Sequence, residues 1–224
     1  MLLEMSPTGV PEAIRRSMQI LATHRALFGR RDRGGRSRGA RTMAESDIAR
    51  VVEVFEACHA RWALVGAHAI GLLTEPRATA DFDFVVDSRK LSGVVRELKK
   101  AFGELDETDI GVAIQLKAID VDLIRSSNHP LFQAALRESR AIGTWKVPRT
   151  EVLLVLKFLA AISPYRNRAK RTHDVGDIML VCRTLGGTLD RAHMIELSKL
   201  VYPGAEREFA ELLGKIDRDE PIAI

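Results

Sequence analysis

Two periods alternate along this chain. From Ser46, "ESDIARVVEVFEACHA" sets Ile48, Val51, Val52, Phe55 and Cys58 three or four apart, as on a helix with one apolar face. "WALVGAHAIGLL" reads as a short strand ending at Gly66 and a helix from about Ala67. In "ATADFDFVVD" (78–87) the period drops to two, so Phe82 and Phe84 take one face of a strand while Asp81 and Asp83 share the other. Pro76 ends whatever helix precedes it. "SRKLSGVVRELKKAFG" is again helical and closes at Gly103, and "VAIQLKAIDVDLI" at 112–124 predicts one long or two short strands. "HPLFQAALRESRAI" reads as a helix and "TWKVP" as a brief strand. The last third is helical: "TEVLLVLKFLAAI", with Thr150 as N-cap, then "THDVGDIMLVCRTL", "RAHMIELSKL" and "EREFAELLGKI". Strands alternating with helices, followed by a run of helices, predict an α/β core with a C-terminal helical cap.

Composition changes this picture at one end. The 224 residues are 46% hydrophobic and 29% charged, as in a soluble globular protein, and no apolar run is long enough to cross a bilayer. Cys58 and Cys182 stand far apart in no metal-like spacing and His occurs as scattered singles, which argues against zinc and for a reducing, cytoplasmic setting. The net charge is +4, but residues 1–42 alone hold nine Arg and three acids, or +6, which leaves the rest of the chain at −2. "VPEAIRRSMQILATHRALF" has Pro11 where a helix could begin and Ile14, Met18, Leu21 and Phe28 roughly along one stripe. "GRRDRGGRSRGAR" (29–41) is a low-complexity stretch that cannot build a core. The leader has the composition of an organellar transit peptide. The plainer readings are a basic arm, able to touch RNA phosphates, or a true start at Met43. Residues 1–45 are therefore expected to be a flexible basic extension that chemistry does not need. The core is expected over 46–148 and a helical region over 149–224.

The acids carry the candidate chemistry. Asp120 and Asp122 in "AIDVDLI" again share a face, opposite Ile119, Val121 and Leu123. If the two acid-bearing strands are neighbours, three or four carboxylates converge, an oxygen cluster suited to Mg²⁺. Gly66-Ala67, between a strand and a helix, lets backbone N–H groups approach a phosphate. Lys157, the one charge in "VLLVLKFLAAI", either snorkels at a helix margin or reaches a phosphate. In "RNRAKRTHDVGDI", Arg166, Arg168, Lys170 and Arg171 precede Asp174 and Asp177, as a basic loop with helix-capping acids or as part of a site.

Together, "LVGAHAIGLLTEPRATADFDFVVD", "AIDVDLI", "LVLKFLA" and "RTHDVGDI" resemble the motifs of the nucleotidyltransferase superfamily, most closely its abortive-infection (AbiEii-like) toxin branch, over about residues 46–180. The resemblance implies an α/β fold in which a nucleotidyltransferase-type mixed β-sheet is flanked by helices and followed by a C-terminal helical cap. It makes Asp81 and Asp83 metal ligands. Asp122 becomes the third carboxylate and base, with Asp120 its rival. Gly66, Ala67, Arg77 and Lys157 fall around the triphosphate, and Asp174 positions the lysine or the acceptor. It implies two Mg²⁺ ions (or Mn²⁺), an NTP, an RNA or protein acceptor such as a tRNA 3′ end, and a cognate antitoxin. Two residues depart from the pattern: Ala67 where Gly or Ser is usual, and His173 where the branch carries Lys. A small-molecule, antibiotic-type nucleotidyltransferase and a degenerate binding protein or antitoxin are the alternatives.

Overall fold

The computed structural model describes residues 4–28 and 43–222. The elements run α1 (Glu12–Phe28), α2 (Glu45–Ala57), β1 (Trp62–Val65), α3 (Gly66–Gly71), β2 (Phe82–Val86), α4 (Leu91–Phe102), β3 (Glu107–Asp109), β4 (Ala113–Leu116), β5 (Val121–Arg125), α5 (Pro130–Arg137), β6 (Ser139–Ile142), β7 (Trp145–Pro148), α6 (Thr150–Ala161), α7 (Arg168–Leu185), α8 (Arg191–Ser198) and α9 (Ala205–Asp217). Among the described residues the strands form a five-stranded sheet, in the order β1-β2-β5-β4-β3, and a separate β6-β7 hairpin. β2 and β5 pair in parallel and the other neighbours antiparallel, so the sheet is mixed, as expected. No described helix is long and apolar enough to cross a membrane.

The apolar face of β2 holds the core together. Phe84 meets Phe55 of α2 edge-on at 5.0 Å and Trp62 of β1 at 5.7 Å, and all three rings are at most 1% exposed. Trp145 of β7 closes the group at 6.3 Å from Trp62. Beyond the hairpin, α6 is buried almost all round: Val152, Leu153, Leu154, Val155 and Phe158 are inside, and Phe158 lies 4.7 Å from Phe209 of α9.

The structure departs from the expected elements in three places. Ser139–Ile142, expected to prolong a helix, is a strand, because Gly143 (φ +60°) and Thr144 make a two-residue turn that brings Ile142 opposite Trp145. Thr150 is the first residue of α6, and Arg149 holds the N-cap position. The third departure is the N-terminus. Residues 12–28 are not a flexible extension but helix α1, and Val10, Ile14 and Met18 are packed in the same hydrophobic core as β2. Their spacing of four puts one apolar stripe on the core, while Arg15 and Arg16 face outward onto Glu12. The Gly/Arg-rich stretch at 29–41 lies outside the described residues.

Ile14 is 1% exposed. Ile14→Ala should therefore cost about 2–4 kcal/mol in urea unfolding. An unchanged midpoint would return α1 to the status of an appendage.

Candidate active site

The register of β2 and β5 sets Asp83 opposite Asp122 on adjacent parallel strands. Asp81 is exposed just ahead of β2. Asp120 lies in the turn before β5 with a left-handed backbone (φ +46°), where its carbonyl accepts a 2.8 Å hydrogen bond from the Phe82 N–H. Its carboxylate is 3.7 Å from the Arg25 guanidinium of α1. Of the two rivals for a third carboxylate, it is Asp122 that the strands place beside Asp83. Among the described residues no three acidic, histidine or cysteine side chains close around one point as a ready metal cluster.

On the other side of β2, β1 sets Val65 opposite Asp83, and Gly66 then opens α3. Glycine is needed there twice over. Its φ is +69°, and a Cβ would fall 2.0 Å from Asp83 Oδ2. Ala67 is half-buried in the first turn of α3. Next to it His68, 2% exposed, stacks flat on Phe82 with ring centroids 3.8 Å apart. Neither of its ring nitrogens has a hydrogen-bond partner among the described residues. Burial, reinforced by the Arg77 charge, pushes it down to about 3, so the imidazole is neutral.

Burial pushes Asp83 up to about 7; the Asp122 carboxylate adds to this, and Lys157 and Arg166 pull the other way. Asp122 is raised chiefly by burial, against a 3.1 Å hydrogen bond donated by Gln115. The charge of Lys170 also lowers Asp122. Asp120 is raised by burial against the opposing charge of Arg25.

Lys157 neither snorkels nor points a free ammonium at the carboxylates. It is buried, with Nζ 2.9 Å from Asp174 Oδ1 and 2.7 Å from Asp177 Oδ2. Arg166 reaches Asp174 at 2.5 Å, and Arg77 donates to both oxygens of Asp177 at 3.2 and 3.3 Å. Asp174 and Asp177 are therefore not helix-capping acids: α7 begins at Arg168, capped by the Asn167 side chain, and both sit buried inside it. Arg77 stands in the stretch before β2 and meets Asp177 there. Asp177 is the residue whose part sequence reasoning missed. The available signal was its spacing of three from Asp174, which puts both acids on one helical face, toward a lysine alone in an apolar helix.

No protein-family model matches the chain, and the comparison with curated proteins found no match. Solved structures similar to it include an antigenic nucleotidyltransferase-like protein from Paracoccidioides brasiliensis, 21% identical over 75% of this chain and 83% of that one, with a TM-score of 0.42. They also include the antibiotic-resistance factor ANT(2'')-Ia, 15% identical over 77% of this chain and 94% of that one, with a TM-score of 0.47.

Two outcomes follow from the charges. Replacing Lys157 with Met leaves two buried carboxylates sharing the remaining arginines, so unfolding free energy should fall by about 3–5 kcal/mol. A Lys157→Met protein as stable as the parent in urea would mean that the buried pairs do not form. Asp83 titrates at about 7 when folded against 3.8 for a free side chain, so the folded state holds the extra proton between these values. Its contribution is fully present below about pH 4 and is lost as pH rises through 7. In EDTA, Asp83→Asn should match the parent near pH 4 and melt progressively higher than it toward pH 8. Parallel melting curves across that range would show that Asp83 is not raised.

Proposed function

We propose that the protein is a Mg²⁺-dependent nucleotidyltransferase that moves a nucleoside monophosphate from an NTP to the end of an RNA, and that it serves as the toxin of a toxin–antitoxin pair. The observation that carries the reading is the Asp83–Asp122 register, with the opening of α3 against Asp83. Two carboxylates held side by side and resisting ionisation fit a hard divalent cation, whose charge removes their repulsion. Asp83 and Asp122 would hold it, with Asp81 just ahead of β2. Mn²⁺ has the same oxygen preference.

When bound, such ions activate an attacking hydroxyl and neutralise the triphosphate. The chain's own residues bind and align. The backbone N–H groups at Gly66 and Ala67, at the opening of α3, would approach the triphosphate. Arg166 and Lys170 supply positive charge close enough to lower Asp83 and Asp122. Lys157, neutralised by two acids, fixes α6 against α7 and so holds Arg166 and Asp174 in place. Asp122 would accept the proton of the acceptor hydroxyl.

The acceptor is read from the segment that leads into α7. Tyr165 is 98% exposed in the loop between α6 and α7, beside Arg166 and Arg168, with Lys170 one turn on. An open aromatic ring among cations suits a single-stranded nucleic acid end, through stacking and phosphate contacts. A cationic small molecule such as an aminoglycoside would call for acids there.

The test is incubation with each α-labelled NTP and total RNA in Mg²⁺. Label should enter RNA, and Asp81→Ala or Asp83→Ala should lower the rate at least a hundredfold while the fold holds or gains stability through relief of repulsion. Undiminished Mg²⁺-dependent transfer by those variants, or no labelled product from the parent protein, would overturn the reading.

A further inference from the structure

Between Gly71 and Phe82 the chain forms neither helix nor strand, yet it ends at Asp81 and feeds straight into Asp83. Such a stretch needs anchors if its carboxylates are to keep their places. Arg77 is anchored at both ends. Its guanidinium meets Asp177 of α7, and its backbone carbonyl accepts a 2.6 Å hydrogen bond from the Ser17 hydroxyl of α1. Ser17 is 3% exposed, so the bond is shielded from water. Two turns further along the same helix, Arg25 pairs with Asp120, whose carbonyl receives the Phe82 N–H. One helix thus grips the approach to β2 and the approach to β5, the two strands whose register brings Asp83 and Asp122 together.

We infer that α1 is a clasp on the acidic site, with Ser17 and Arg25 as positioning residues that fix the segments carrying Asp81 and Asp122. The inference rests on reading those acids as the ion-holding centre. Packing alone would make α1 stabilise the whole molecule evenly. A clasp makes it act on two segments, through two polar contacts that add nothing to the apolar stripe of Val10, Ile14 and Met18.

The test uses the full chain carrying Ser17→Ala or Arg25→Gln. Alanine is the better helix former, so Ser17→Ala keeps α1 while leaving the Arg77 carbonyl without its donor. Amide exchange at Thr74 and Phe82, bonded to the carbonyls of Ile70 and Asp120, should quicken about five- to tenfold, while Val51 and Val52 in α2 hold the parent rate. The Mg²⁺ concentration for half-maximal transfer should rise several-fold, with the rate at saturating Mg²⁺ largely restored. Unchanged exchange at Thr74 and Phe82 in both variants, or acceleration spread evenly over the chain, would overturn the inference. Exchange is read without any transfer, so an inactive parent protein would count against the proposed reaction and leave the clasp to be decided by exchange alone.

Discussion

Everything at the acidic site depends on a parallel pairing that holds two like charges side by side. Their own charges oppose setting Asp83 opposite Asp122. What enforces it is the reverse face of the same strands, where Phe82, Phe84, Val121 and Leu123 are at most 1% exposed. Strand side chains alternate, so a slip of one residue would turn those apolar groups to the acidic side and the acids into the core. At about 25 cal/mol per Å² of buried apolar surface, four large side chains outweigh one carboxylate repulsion. The raised titration of Asp83 is the cost of this arrangement in the absence of a cation.

The pattern of apolar and polar positions made much of this legible. Alternation in "DFDFVV" and "IDVDLI" puts Asp83 and Asp122 on strand faces as expected, though Asp81 stands just ahead of β2 and Asp120 in a left-handed turn before β5. The helical periods of α2, α4 and α6 to α9 are those observed. Adjacency was not legible, because strand order is decided by packing far along the chain. It is the β2–β5 register that sets Asp122 opposite Asp83, while Asp120 falls in the turn before the strand. β6 was misread because "RESRAI" suits a helix locally, and only the turn at Gly143 and the partner strand overrule that preference. α1 was misjudged for a different reason. Its stripe of Ile14 and Met18 is visible in the sequence, but nothing local shows that the stripe meets the core, and the arginines around it read as an Arg-rich leader.

Lys157 shows what a charge pattern leaves out. A lone lysine in an apolar helix reads as free to reach an anion, because its partners lie on another helix and cannot be seen in its neighbours. Once α6 and α7 pack, burying it without an acidic partner would leave an uncompensated charge in the core. Asp174 and Asp177, three apart on one face of α7, meet that need together.

The charges of the helical region then form a row, Arg77, Asp177, Lys157, Asp174 and Arg166, in which each acid sits between two cations. The row begins and ends on arginine, so it carries one surplus positive charge. Arg77 belongs to the approach to Asp81, while Lys157 and Arg166 act on Asp83, so that surplus is spent against the carboxylates of the sheet. Without it, burial and the Asp122 charge would push Asp83 higher still. The site therefore has two signs: acids from β2 and β5, and cations from α6, α7 and the loop between them. A lone anion is repelled by the first and a lone cation by the second. A polyanion that brings its own divalent metal satisfies both, which is the electrostatic reason to look for a metal–triphosphate complex between them.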